Sequence, residues 1–263
     1  MKWLFSLLLL VNLCSAALAQ AGVFLEDLTW PELRAAIEQG STTVIIPIGG
    51  TEQNGPAMSL GKHNIRVKIL AEKIALKLGN TLVAPVMAYV PEGSIDPPTA
   101  HMKFPGTLTV PDAVFNQVLE SAAKSLKHAG FKNIVLIGDH GSYQSNEMLV
   151  AEKLNKQWVK SDVRAFAAVQ YYAASQGSYV DALVAKGFAK SEIGTHAALA
   201  DTSLQLAVAP ETVRIDKLHS SLTAADGVYG GSPKNSSAAL GQLGVDLIVA
   251  ETVSAIQEFI TKK

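Results

Sequence analysis

The sequence predicts an α/β fold, a layered sandwich with a mostly parallel central sheet. Short β-branched or continuously apolar runs alternate with longer segments whose apolar residues recur at helical spacing. The short runs are bounded by Gly, Pro or polar residues, as buried strands are. No linker, low-complexity tract or fixed-period repeat interrupts residues 20–263, so one domain is expected there.

In chain order, "TTVIIPIG" (42–49) reads as the first strand and "NIRVKILAEKIALKLG" (64–79) as the helix after it. "TLVAPVMAY" (81–89) is the second strand. The helix "PDAVFNQVLESAAKSLKHAG" (111–130) opens on Pro111-Asp112 and stops at Gly130, the residue types that start and end helices. "NIVLIGD" (133–139), a helix over 144–161 and "VRAFAAVQYY" (163–172) continue the alternation. An Ala-rich helix (195–209) stopped by Pro210, a Gly- and Ser-rich loop (226–237) and a C-terminal helix (about 238–262) complete it.

With 48% hydrophobic residues, 263 residues supply ample apolar material for a core. A charged fraction of 17% and a net charge of −1 leave no electrostatic footprint for nucleic acid or an anionic membrane. A small-molecule substrate is the expected partner. Residues 1–19 read as a cleavable signal peptide, with Lys2, an apolar run too short to span a bilayer comfortably, and Ala17-Leu18-Ala19 before the cut. The mature chain is therefore expected in the periplasm or secreted, with no membrane attachment. Cys14, the single cysteine, leaves with that segment, so any metal must be held by His, Asp, Glu or Asn.

Ligands of open α/β sheets bind beyond the carboxyl ends of the strands. Glu52 and His63 follow the first strand in the Gly-rich stretch "GGTEQNGPAMSLGKHN", and Asp139 and His140 end the third. Two histidines and a carboxylate meeting at one sheet edge are the minimum for a catalytic metal site with an open position. His196 opens the Ala-rich helix with Asp201 five residues on, about 140° round an ideal helix. His101 lies in a long Pro-rich connection of the kind that lines pockets. The chain has no G-x-S-x-G after a strand, no phosphate-binding glycine loop and no H-E-x-x-H.

Five blocks in order, "IPIGGTEQNGPAMSLGKH", "HMKFPGT", "HAGFKNIVLIGDHG", "THAALADTSLQL" and "GVYGGSP", resemble the creatininase (creatinine amidohydrolase-like) family across nearly all of the mature chain. The resemblance implies a creatininase-like α/β/α sandwich and metal-dependent hydrolysis of cyclic or linear amides by a metal-activated water. It makes Glu52 and His140 metal ligands and His196 an acid/base. Asp201 takes the place of a Glu, and "FPGT" at Phe104, Gly106 and Thr107 is intact. Other ligand positions differ. Asn54 and Ala57 stand where the family has His, Ser142 where some members have a ligand Glu, and His63 where it has a metal-bridging Asp. Imidazole cannot bridge two ions through one nitrogen. The expectation is therefore one divalent ion, zinc before manganese or iron, on Glu52, His63 and His140 with Asp139 in support. His196 and Asp201 are the expected catalytic pair, and Asn54 and the Phe104–Thr107 turn face substrate. The alternative is an inactive relative that binds a small molecule in the same crevice. The resemblance also implies a homo-oligomer.

Overall fold

The computed structural model describes residues 22–218 and 221–262; the expected signal peptide lies outside them. The elements in order are α1 (Trp30–Glu38), β1 (Thr43–Ile48), α2 (Lys62–Leu78), β2 (Thr81–Val83), α3 (Asp112–Ala129), β3 (Asn133–Gly138), α4 (Gln144–Gln157) and β4 (Arg164–Ala167). The remainder is α5 (Gln170–Gln176), α6 (Ser178–Ala185), α7 (Lys190–Ile193), β5 (Gly194–His196), α8 (Leu199–Val208), β6 (Tyr229–Gly231) and α9 (Ala238–Thr261). The four main strands form one wholly parallel sheet in the order β2-β1-β3-β4. The creatininase-like α/β architecture expected from the sequence is the one observed.

Every β1 residue is buried, because the sheet is covered on both faces. Side chains alternate across it. Ile45, Val135 and Ile137 pack against Val67, Leu70 and Ile74 of α2 and against residues of α5, α8 and α9. Val44, Ile46, Ile134 and Leu136 face Phe115 and Leu119 of α3 and Val150 and Leu154 of α4. At about 1.5–3 kcal/mol per fully buried aliphatic side chain, these two layers dominate the folding free energy. α9 is long and apolar enough to cross a membrane, yet it packs against α2, α5, α6 and α8, with Val245, Ile248, Val249 and Ile256 in the core.

Three sequence-based boundaries shift, each for a local reason. The run 81–89 is strand only to Val83; Pro85 has no N–H for the ladder, and only Met87 rejoins it, donating to Pro47 O. The run 163–172 leaves the sheet at Ala167 and turns into α5. The Ala-rich helix starts at Leu199 instead of 195. Its first residues form β5, in which His196 pairs with Tyr229, and Ala197 at φ 53° ends the strand. The helix α1, signalled by the reciprocal Thr29–Glu32 capping box, was not expected.

Candidate metal centre

The sheet order places the topological switch between β1 and β3, where a crevice opens beyond their carboxyl ends. The β1 loop delivers Glu52, α2 delivers Lys62, His63 and Arg66, and β3 delivers Asp139 and His140. The connection after β2 brings Glu92 and His101, and β5 brings His196. Lys62, His63, Arg66, His101, Asp139, His140 and His196 line a cavity of ≈ 130 Å³ that Tyr172, Gln176, Val180 and Leu204 also border, with Glu52 and Glu92 buried behind these residues. Backbone outliers flank it. Ala100 (φ 46°) immediately precedes His101 and Ala197 (φ 53°) immediately follows His196, left-handed positions that cost non-glycine residues about 1–3 kcal/mol each.

The site has two sides, divided by the Glu52 carboxylate. On the first, Glu52 Oε2 lies 3.2 Å from His101 Nε2 and 3.4 Å from His140 Nε2. His140 Nδ1 is 3.8 Å from Glu92 Oε2, and one donor atom from each of the four residues lies within 4.8 Å of the others. Glu52 Oε2 and both Glu92 oxygens are buried without a hydrogen-bond partner among the described residues. Gly50 (φ 145°) makes room for Glu92, since a Cβ there would come 2.7 Å from Glu92 Oε1. Burial, then the adjacent Glu52 charge, pushes the Glu92 carboxyl up to about 9. Burial drives His140 down to about 3, so its ring is neutral.

The tautomers follow from the partners. Ser142 donates its hydroxyl hydrogen to Pro91 O (2.7 Å) and its backbone N–H to His140 Nδ1 (3.2 Å), with its Oγ 2.8 Å from the same ring nitrogen. His140 Nε2 faces Glu52 Oε2 at 3.4 Å. Gln53 spends its two amide hydrogens on Gly227 O (3.2 Å) and His101 Nδ1 (3.0 Å). His101 therefore carries its proton on Nε2, towards Glu52. His196 Nε2–H donates to Gln53 O (3.0 Å), and its bare Nδ1 stands 3.6 Å from Glu52 Oε1. Burial, reinforced by Lys62, drives His196 down to about 3 as well.

On the second side every carboxylate is already matched. His63 is clamped between Glu52 Oε1 (Nε2, 2.6 Å) and Asp139 Oδ2 (Nδ1, 2.5 Å). Arg66 also approaches His63 Nδ1 (3.3 Å), so both ring nitrogens are already engaged. Asp139 also takes Arg66 (2.7 Å) and the Tyr171 hydroxyl (2.7 Å). Asp201 accepts from Lys62, Arg66 (2.7 Å) and Ala197 N (2.8 Å). Burial opposes ionisation of Glu52 and Asp201, but the cations beside them outweigh it and hold both well below the usual carboxylate range. Asp139 is lowered in the same way by Arg66 and His63.

The structure thus brings Glu52, His63, Asp139, His140, His196 and Asp201 together but divides their work differently from the sequence expectation. His63 and Asp139, although both line the cavity, are engaged with each other and with Arg66. Asp201 makes no hydrogen bond to His196 and braces the start of α8. Asn54 donates to Glu52 O and Ser59 O (both 2.9 Å), closing its own loop. Thr107 receives Gln53 N (3.1 Å) and donates to His101 O (2.8 Å), tying the β1 loop to the His101 turn. Asn54 and Thr107 tie the β1 loop and the His101 turn into the site's frame, and neither they nor Phe104 and Gly106 line the described cavity. Sequence reasoning missed Glu92, whose apolar-pocket position has no local signature. It noted His101 without giving it a role, although its place just before "FPGT" was the available signal.

Comparison with known proteins agrees with this architecture. A family profile described as creatinine amidohydrolase matches residues 26–256. The chain is 26% identical to the creatinine amidohydrolase of Pseudomonas putida over 205 residues, 74% of this chain and 75% of that one. It is 32% identical to the 3-dehydro-scyllo-inosose hydrolase of Thermotoga maritima over 121 residues, 46% of this chain but only 36% of that protein's length. A solved mutant creatininase of Zn-Zn type superposes with a TM-score of 0.73 at 23% identity, covering 92% of this chain and 99% of that one. Fold, order of blocks and matched span agree, and the chain belongs to the creatininase family.

Proposed function

We propose that this chain is an exported hydrolase that takes one divalent ion on Glu52, Glu92 and His140 and cleaves a C–N bond in a small cyclic or linear amide. His101 is the fourth ligand once its proton moves to Nδ1. The observation that carries this reading is the group of orphaned, buried oxygens on Glu52 and Glu92, facing two imidazoles at the sheet's carboxyl edge. Buried polar atoms are almost always satisfied, and a cation would satisfy these three oxygens together in place of the proton that Glu92 otherwise shares with Glu52. Two carboxylates with imidazole suit zinc or manganese. The Zn-Zn type of the solved relative supports the choice of zinc.

Charge supports one ion over two. Lys62 and Arg66 are the fixed cations among Glu52, Asp139 and Asp201, and Glu92 adds a fourth acid. One dication with ionised Glu92 brings these fixed charges to neutrality, whereas a second would leave two positive charges. Burying that excess without counter-charges is prohibitive.

When bound, the ion would polarise a carbonyl and make water a nucleophile near neutral pH. The chain's own residues do the rest. His196, neutral and with Nδ1 bare, accepts a proton inside the cavity. Because its pKa is low, the protonated ring is a strong acid that readily passes that proton to a leaving nitrogen. Gln53 fixes the ring by accepting from Nε2–H on its backbone oxygen. Tyr172, Val180 and Leu204 wall the pocket against water. The relatives' names point to small ring compounds, creatinine in one and 3-dehydro-scyllo-inosose in the other, and the cavity is of that scale.

The test is metal content and turnover together. Mature protein isolated without chelator is expected to hold about one zinc per chain and to hydrolyse a member of a lactam and amide panel, with activity lost in EDTA. No metal in the folded protein would overturn the reading in favour of an inactive binding protein. Export rests on the N-terminal sequence pattern, and N-terminal sequencing of the periplasmic protein tests it, with Gln20 the expected first residue.

A further inference from the structure

We propose that Lys62 is a built-in second cation, an ammonium that stands where Glu52 and Asp201 would otherwise share another divalent ion. This rests on the single-ion reading above. Lys62 is 1% exposed, among the most buried large side chains of the described residues. Its Nζ is bonded to Asp201 Oδ2 and lies 3.5 Å from Glu52 Oε1. Glu52 is two-sided. Oε2 faces the Glu92–His101–His140 cluster, while Oε1 faces Lys62 and His63. A carboxylate whose two oxygens look into two separate cation positions has the geometry of a bridge. One position lacks a cation among the described residues and Lys62 fills the other.

The surroundings of Nζ make the point more specific. Besides the two carboxylates, the bare Nδ1 of His196 lies 3.6 Å from Glu52 Oε1, on the same side. Two carboxylates and an imidazole lone pair are a divalent-ion donor set, held shut by an amine. Arg66 reinforces the closure on the other Asp201 oxygen (2.7 Å). A fixed ammonium supplies one charge without binding or release, so the site's stoichiometry is written into α2. Removing that ammonium leaves two buried carboxylates short of a cation, which a divalent ion can restore.

The experiment is zinc stoichiometry by mass spectrometry on the mature protein and its Lys62→Ala, Lys62→Gln and Lys62→Arg variants, equilibrated with excess zinc and desalted. About one zinc in wild type and K62R, and about two in K62A, is the expected result. The second ion should bind K62A at least 100-fold more tightly than any second ion binds wild type. One zinc in folded K62A and K62Q overturns the proposal while leaving the single-ion site standing. Two zincs in wild type also overturn it. No zinc in wild type removes the reading on which it rests, and the proposal with it. If K62A unfolds when metal-free, added zinc is expected to restore its melting transition, and a chain that stays unfolded in millimolar zinc overturns the proposal.

Discussion

Glu92→Gln should stabilise the metal-free protein and weaken the metal-bound one. Glu92 is 2% exposed, and burial together with the Glu52 charge raises its carboxyl from an ordinary 4.5 to about 9. In the folded chain it stays protonated up to about 9, whereas in the unfolded chain it ionises above 4.5. The unfolded state therefore gains from each unit of rising pH between those values, and stability is lost as pH climbs. At about 1.4 kcal/mol per unit, the loss at pH 7 amounts to about 3 kcal/mol. The figure depends only on the gap between 4.5 and 7, provided the folded value lies above 7. Glutamine has the same shape and does not ionise, so it removes that loss.

In EDTA at pH 7, E92Q should therefore melt about 6–12 °C above wild type, at roughly 2–4 °C per kcal/mol for a chain of this size. The difference should shrink towards pH 5. With zinc the order reverses. Wild type gains about 4.1 kcal/mol at a thousandfold excess over Kd, more than the E92Q advantage of about 3 kcal/mol, while E92Q, missing one ligand oxygen, keeps little of that gain. Differential scanning fluorimetry over pH 5–8, with and without zinc, reads all four arms. An E92Q protein less stable than wild type in EDTA at pH 8, or an advantage independent of pH, would refute the reasoning.

Other expectations follow from the same geometry. His140 and His196, both lowered to about 3, stay neutral in the fold while the unfolded chain protonates them below 6.5. Stability present above 6.5 is thus lost as pH falls, by about 4 kcal/mol at pH 5 for the pair; urea denaturation in EDTA checks this, and His196→Gln should remove about half of the loss. His63→Ala should keep its zinc while losing about 3–5 kcal/mol of stability, because two buried carboxylates, Glu52 and Asp139, lose the partner they share. Zinc lost together with the imidazole would restore His63 as a ligand. Thr107→Val strands Gln53 N and His101 O and should cost about 1–3 kcal/mol, with Thr107→Ser close to wild type in both melting and zinc affinity.

Much of this molecule is legible in the sequence, and the parts that are not share a cause. Apolar periodicity is a local property, and it located β1, β3, α2 and α3 to within a residue or two because burial on both sheet faces demands those patterns. It misplaced the end of the 81–89 run and the start of α8, where the chain leaves regular structure to build the site. The site residues were found as types and places, Glu52 and His140 after two adjacent strands, but their pairing was not. Which carboxylate a histidine meets is decided by residues far away in sequence. His63 meets Asp139 across 76 residues, and Gln53 reaches His196 across 143.

The rebuilt loop makes sense once α2 is read as a charge source. Within one helical turn it presents Lys62, His63 and Arg66, and these three meet Glu52, Asp139 and Asp201. Breaking any one pair would leave an uncompensated buried charge worth about 3–5 kcal/mol, so the six residues form one electrostatic unit, and changing one requires changing a partner. Asp201 fits that unit better than a proton shuttle, because two cations and a backbone N–H occupy its oxygens. With the carboxylates on that side neutralised by the helix, the only orphaned acceptors facing histidines lie on Glu52 Oε2 and Glu92 among the described residues. The proposed ion position thus lies on the Oε2 side of Glu52, with His196 Nδ1 across the carboxylate at Oε1.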